Sequence, residues 1–394
     1  MKVLMGTESL RPPLTGIGNY TLNLLREFQT LTAIDVVDCF DGDRFSPALE
    51  VLRGHDHPMQ PTSTVSPDVG WKRRIRSSAR SLPLAYRLKA AWSESRFKQG
   101  GRSRWDFVYH EPNFILKPHD GPCVTTVHDL SFVSHPEFHP AERVAWLNRQ
   151  LPRTLARADF VITDSEVVRA QLIEQFSVLP DRVSAIYLGA DARFVPRTKE
   201  ATQSVLAKYD LVHGHFLAFV GTIEPRKGLS VLLDAWERLP ARLRRNWPLV
   251  IAGAPGWRNA DLIGRIQSLQ TKGEIRFLQF VSSDDLPFIY AGAATFVYPS
   301  VYEGFGLPVL EAMSSGVPVI CGAGTSMAEF ADDTCRLFDV EDSEALAIAI
   351  SELIDDPMLR LRMAQGGQAQ ASQFSWSRCA LDTLEAYGKA ASSA

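Results

Sequence analysis

Short runs of β-branched and aromatic residues recur along the 394-residue chain, separated by amphipathic helical patterns. The first half carries KVLMGT, IDVVDCF, WDFVYH, PCVTTVHD, FVITDS and VSAIYLG; the second carries FLAFVG, PLVIAG, IRFLQF, ATFVYPS and GVPVICG. Most are apolar at nearly every position rather than at every second one, the pattern of parallel strands covered on both faces, and helices such as GLSVLLDAWERL lie between them. This alternation predicts two doubly wound α/β domains.

The join is expected near FVPRTKEATQS (194–204), where strand patterning lapses into a polar stretch. That gives domains over 1–198 and 199–372 and a terminal helical segment over 373–394. From Ser343 onward the chain reads as helical, with Asp355-Asp356-Pro357 starting one helix and Ser375 placed to cap the last. At 45% hydrophobic and 22% charged the chain can build two cores. No apolar run of about 18 residues occurs, and MKVLMGTESL carries polar groups where a signal peptide would be apolar, so neither membrane spanning nor secretion is expected. Five widely spaced cysteines without a CxxC or Cys/His cluster suggest no disulfide framework or structural zinc and fit a reducing cytoplasm.

Four constellations can carry chemistry. In EGFGLPVLE, Pro308 and Gly316 frame a helix near 308–315, with Glu303 in the preceding loop and Glu311 in the first turn. Leu307, at the expected cap, has no side-chain oxygen, so the helix amides and those of Gly304, Phe305 and Gly306 stay open to an anionic or hydroxylated ligand. Glu311 also fits a plain macrodipole preference. A hydrolytic carboxylate pair would need to face across a sugar, about 5–9.5 Å apart, and nothing here shows that arrangement. In FVGTIEPRKGLSVLLDAW, Arg226 and Lys227 arrive between a strand end and a helix start, a place for a diphosphate, though such a run is also a common solvated turn. In LTGIGNYT, Gly16 and Gly18 lie between the first strand and first helix, either near a phosphate or as a flexible turn. In VTTVHDLSF, His128 and Asp129 end an apolar strand, and His128 either points into a crevice or is a satisfied core histidine.

In this order and at these separations, Gly16-Ile-Gly18, His128-Asp129, Pro225-Arg226-Lys227-Gly228 and the Glu303 to Glu311 element resemble the retaining glycosyltransferases of family 4, with the GT-B fold. The resemblance spans nearly the whole chain. It implies two facing Rossmann-like domains, a nucleotide-sugar donor held mainly by the second, no catalytic metal, and a last helix, near 376–392, crossing back to the first domain. By position it makes Arg226 and Lys227 the diphosphate ligands that stabilise the leaving group, Glu303 the ligand of the sugar hydroxyls with the amides of Phe305, Gly306 and Leu307 nearby, and Glu311 the ligand of the ribose. It puts Phe280 and Val281 at the base, His128 beside the transferred sugar, and Gly16 and Gly18 near the phosphates. Thr222 stands where many relatives carry arginine. GTIEPRKG and LTGIGNYT look most like bacterial mannosyltransferases of O-antigen or exopolysaccharide assembly that use GDP-mannose.

The net charge of −3 hides an uneven distribution: residues 71–105 hold eleven Lys or Arg against Glu94, a local +10 that leaves −13 elsewhere. Lys72, Arg73, Arg74, Arg76 and Arg80, interleaved with Trp71, Ile75, Leu82, Leu84, Tyr86, Leu88, Trp92 and Phe97, suit an anionic lipid surface where a lipid-linked saccharide acceptor resides. The expected location is therefore the cytoplasmic face of the cell membrane, peripherally bound. A solvated basic helical pair is the plainer reading, and nucleic acid is not expected as a partner because no reading module accompanies the stripe. A nucleotide-sugar epimerase on the same fold and a non-catalytic nucleotide-sugar-binding module remain the alternatives in function.

Overall fold

The computed structural model describes residues 1–12, 14–56, 83–256 and 259–393. The expected alternation of strands and helices builds two sheets. The first contains β1 (Lys2–Gly6), β2 (Val36–Phe40), β3 (Phe45–Pro47), β4 (Val108–Glu111), β5 (Cys123–Val127), β6 (Phe160–Thr163) and β7 (Val183–Ala185), in the order β3-β2-β1-β4-β5-β6-β7. Only the β2/β3 pair is antiparallel. The second contains β8 (Leu217–Val220), β9 (Leu249–Ala252), β10 (Ile275–Gln279), β11 (Thr295–Tyr298), β12 (Val319–Gly322) and β13 (Arg336–Phe338), all parallel, in the order β10-β9-β8-β11-β12-β13. Counted within its own sheet this is the 3-2-1-4-5-6 order of dinucleotide-binding folds. Its central strands are buried at nearly every position, which explains the continuous apolar runs.

Strand order reverses between β8 and β11 in the second sheet and between β1 and β4 in the first. At such a point neighbouring crossovers depart to opposite faces and leave a crevice at the carboxyl ends of the strands.

The chain returns to the first domain at its end. Asp356 accepts from the amides of Met358 and Leu359 to start the helix Pro357–Ala371, and Ser375 Oγ accepts from the Arg378 amide to start Trp376–Ser393. That last helix packs against Gly16–Phe28 and the first sheet. Tyr387 contacts the Phe28 ring, and its hydroxyl lies 2.7 Å from His110 Nδ1. Burial of His110 lowers its pKa to about 3, so this internal contact is made by a neutral ring.

Several local expectations shift. Gly16 and Gly18 belong to the first turn of Gly16–Phe28, whose cap is Thr15, rather than to a loop before it. Phe97, expected on an interfacial stripe, is fully buried among Phe40, Phe45 and Tyr109. Trp92, in contrast, is exposed beside Arg96. Among the described residues no helix is long and apolar enough to cross a membrane. Lys72, Arg73, Arg74, Arg76 and Arg80 lie outside the described residues.

Candidate active site

The second sheet's crevice is lined by the loops after β8 and β11. The first carries one 3₁₀ turn, Pro225–Lys227, then Gly228 at φ 65° and the helix Leu229–Arg238. Gly228 is required twice over: its backbone is left-handed, and a Cβ there would overlap the carbonyl oxygen of Pro299. The second loop ends at Gly306, φ 107°, and leads into the helix Leu307–Ser314. Neither helix has a side-chain cap. The cap is thus Gly306 and not Leu307, and the expected consequence holds at the new position. The amides of Gly304, Phe305, Gly306 and Leu307 meet no acceptor among the described residues. Starting the helix one residue earlier also moves Glu311 beyond the first turn, too far in for the macrodipole to account for it.

Glu303 is the centre of the crevice. Its Oε1 accepts from Lys227 Nζ at 2.5 Å, Ser300 Oγ at 2.6 Å and Tyr298 Oη at 3.1 Å; Oε2 accepts from Arg226 Nη1 at 3.3 Å. Lys227 also donates to Tyr298 Oη at 2.8 Å, and Arg226 to the Tyr302 carbonyl at 3.3 Å. Burial opposes ionisation of Glu303, but Lys227, Arg226 and the hydrogen bonds outweigh it and hold the carboxyl at about 2. Burial likewise works against the Arg226 charge, and Glu303 overcomes it, raising that pKa. Two cations therefore face one buried carboxylate, while Glu224 pairs with Arg226 from the outside at 3.4 Å. Lys227 has three N–H groups and Arg226 five, more than these contacts consume, so both can bind an incoming anion without releasing Glu303. Tyr298 and Ser300, which orient Glu303, escaped the sequence reading although both stand at the strand end ATFVYPS.

Further along the crevice, burial pushes the Glu311 carboxyl up to about 7; Asp191 adds to this, while Tyr290 and Arg193 oppose it. Phe280, just past β10, is 81% exposed, with Val281 half-buried beside it. Thr222 is exposed and brings no charge to the loop after β8.

The first domain meets this site through His128 and its neighbours. The reading of His128 as open to a crevice is corrected. Its Nδ1 lies 2.7 Å from Asp164 Oδ2 and its Nε2 2.7 Å from the Pro112 carbonyl, so both ring nitrogens are used internally. Burial works against a charge on the ring, but Asp164 and these contacts outweigh it and raise the pKa above the ordinary histidine value. Gly304 packs on its backbone so closely that a Cβ would overlap the His128 carbonyl oxygen. Tyr302 Oη accepts from the Leu130 amide at 3.0 Å and donates to Gln171 at 2.6 Å. Glu329, in the helix Ala328–Ala331 of the second domain, accepts from the amides of Glu166 and Val167 at 2.9 and 2.7 Å and from Tyr187 Oη at 3.0 Å. The two amides begin the helix Glu166–Phe176 of the first domain, whose own cap, Ser165, accepts only from Val168. Gly18 is needed because a Cβ would press on the Ser9 carbonyl, whereas Gly16 faces open space. No group of three His, Cys, Asp or Glu among the described residues is arranged to hold a metal.

Comparison with known proteins places this geometry. Residues 14–194 match the model for Glycosyltransferase Family 4 and residues 211–370 that for Glycosyl transferases group 1. The chain is 36% identical over 394 residues to the O-antigen chain mannosyltransferase B of Escherichia coli, covering 98% of this chain and 99% of that one. It is 32% identical over 285 residues to a D-inositol 3-phosphate glycosyltransferase of Salinispora arenicola, covering 68% of this chain and 64% of that one. In fold it resembles Anabaena Alr3699/HepE solved with UDP and glucose (TM-score 0.70, 19% identity, 98% of each chain) and WaaG, a glycosyltransferase involved in lipopolysaccharide biosynthesis (TM-score 0.69, 14% identity, 98% and 99%). The class is a GT-B glycosyltransferase, with a nucleotide-sugar as donor. The chain belongs to glycosyltransferase family 4.

Proposed function

We propose that this enzyme transfers mannose from GDP-mannose to a lipid-linked saccharide in the assembly of a bacterial surface polysaccharide, with retention at the anomeric carbon. The observation that carries this reading is the likeness to O-antigen chain mannosyltransferase B along essentially the entire chain. In this reading residues 1–198 bind the acceptor and 199–372 the donor, with 373–394 packed back on the former. Lys227 and Arg226 bind the diphosphate and stabilise the charge that grows on it as the glycosidic bond breaks; the amides of Gly304 to Leu307 lie on the same side. Glu303, ionised and fixed by four donors, accepts from sugar hydroxyls and moves no proton. Glu311 accepts from the ribose, Phe280 and Val281 flank the base, and Gly16 and Gly18 adjoin the phosphates. His128 acts by positioning the 128–130 backbone beside the sugar. The acceptor hydroxyl attacks on the face the diphosphate leaves, which takes the proton, so no enzyme nucleophile is required.

The membrane reading rests on the cations of residues 71–105, and sedimentation with anionic against neutral liposomes tests it: binding indifferent to lipid charge removes it. For the reaction, the enzyme is incubated with GDP-, UDP-, dTDP- and ADP-sugars, with and without a lipid-linked oligosaccharide. Release of GDP from GDP-mannose that requires the acceptor is expected. Turnover of another donor overturns the mannose reading, and a new nucleotide sugar formed without acceptor marks an epimerase.

A further inference from the structure

The helix Glu166–Phe176 of the first domain is tied to the second domain twice. Its first amides, Glu166 and Val167, are held by Glu329, and a turn further on Gln171 Oε1 accepts from Tyr302 Oη at 2.6 Å. The same tyrosine oxygen accepts from the Leu130 amide at 3.0 Å. The Tyr302 ring is buried and meets His135 edge-on, with centroids 5.6 Å apart and planes at 63°. Tyr302 lies in the loop after β11 of the second domain, yet its hydroxyl and its ring edge are both spent on the first. Leu130 is buried, and among the described residues its amide finds its acceptor in that hydroxyl. Burial pushes the pKa of the phenol up, so it keeps the proton it donates to Gln171.

The main chain of the same residue faces the other way, into the donor clamp. Its carbonyl accepts from Arg226 Nη1 and from Ser300 Oγ, each at 3.3 Å, and the Val301 amide before it donates to the Arg226 carbonyl at 2.9 Å. Glu303 follows, with its carboxylate on Lys227 and Arg226, and then Gly304, which rests on the His128 carbonyl. Where the Glu303 carboxylate points is fixed by donors of the second domain, Lys227, Ser300 and Tyr298. How its backbone sits is set from both flanks by the first domain, through Tyr302 on one side and Gly304 on the other.

We propose that Tyr302 is a positioning residue for the transfer step: its hydroxyl, seated between the Leu130 amide and Gln171, couples closure of the domains to the placement of Glu303 and Arg226. The inference rests on the reading of Glu303 as the sugar ligand and of Arg226 as a diphosphate ligand, and Tyr302 acts through these two. The donor then binds to the second domain whether or not the first is in place, and is turned over only when it is.

The test compares the full chain with Tyr302→Phe, Gln171→Leu and the double variant. Tyr302→Phe keeps the ring and the main-chain contacts and removes only the hydroxyl; Gln171→Leu removes its acceptor from the other domain. With GDP-mannose and a lipid-linked oligosaccharide, kcat is expected to fall about tenfold in each single variant and no further in the double one, since both break the same link. GDP affinity by calorimetry should stay within about twofold of the parent, because the donor clamp keeps its own contacts. Hydrogen exchange at the Glu166 and Val167 amides, whose acceptor is Glu329 and not Tyr302, should accelerate in all three variants. A hydroxyl that served only its local packing would leave that exchange at the parental rate. Parental kcat in either single variant, a fall in GDP affinity that matches the fall in kcat, or unchanged exchange at those two amides overturns the coupling. If the parent turns over none of the donors, the transfer reading fails by itself, and the exchange measurement, which needs no turnover, still decides for or against Tyr302.

Discussion

Glu329 offers the sharpest test of how the two domains are held together. Its carboxylate supplies acceptors to two first-turn amides that the helix Glu166–Phe176 cannot satisfy itself, and to Tyr187. A hydrogen bond to a charged group is worth roughly 1.5–3 kcal/mol when buried, and a charge at a helix start roughly 0.3–1 kcal/mol. Glu329→Gln keeps the shape and one carbonyl acceptor, removes the charge and orphans one amide. Because Glu329 is half-buried and solvent screens part of its field, the net loss is taken as about 1–2 kcal/mol, or a shift of about 5–30-fold from closed toward open. Hydrogen exchange at the Glu166 and Val167 amides should accelerate by that factor, and small-angle scattering should show a larger radius of gyration. Ser165→Ala is the control, since it frees Val168 inside one domain and leaves the interface intact. If Glu329→Gln leaves exchange at Glu166 and Val167 at the parental rate, the carboxylate does not clasp the domains and the reasoning is refuted.

Glu303→Ala leaves Lys227 buried without its carboxylate and should cost about 3–5 kcal/mol in urea unfolding, whereas Lys227→Ala should lower kcat by about 10²–10³ through loss of leaving-group stabilisation; equal kcat in parent and Lys227→Ala would sink that role. Glu311 binds a proton in the folded state up to about pH 7 that the unfolded chain releases near its ordinary value, so this residue's contribution falls as pH rises from about 4.5 to 7. A ribose held by its carboxylate should then bind more tightly as pH rises through 7, and calorimetric GDP titrations that are flat with pH in the parent, or equally steep in Glu311→Gln, would contradict this. Gly304→Ala should abolish transfer while the second domain stays folded by circular dichroism, because the added carbon meets the His128 carbonyl; full activity would show that the domains work further apart.

Long apolar strands such as FLAFVG and ATFVYPS were legible because burial on both faces leaves a continuous signature. The three-residue strands β3 and β13 were not, since each is too short to show any period. Loop chemistry at a strand end was also readable: Glu303, Arg226 and Lys227 announced themselves by residue type and neighbouring glycines. What the sequence could not show was who meets whom. The partners of His128 lie 16 and 36 positions away, and those of Glu329 more than 140, so no local pattern separates a buried ring from an open one or a surface glutamate from an interdomain clasp. The cap at Gly306 was misplaced by one residue because a glycine with positive φ can end a loop where proline suggests the helix has not yet begun.

The return of Trp376–Ser393 to the first domain has a bearing on synthesis. The surface formed by Tyr20, Phe28 and His110 is made well before the residues that cover it, Trp376 and Tyr387. On a ribosome the leading half must wait, with an apolar face uncovered, while the whole trailing half is made and folded. A stop codon near position 375 would therefore damage the half of the protein farthest from it in sequence, and such a product is expected to be captured by chaperones through its first two hundred residues.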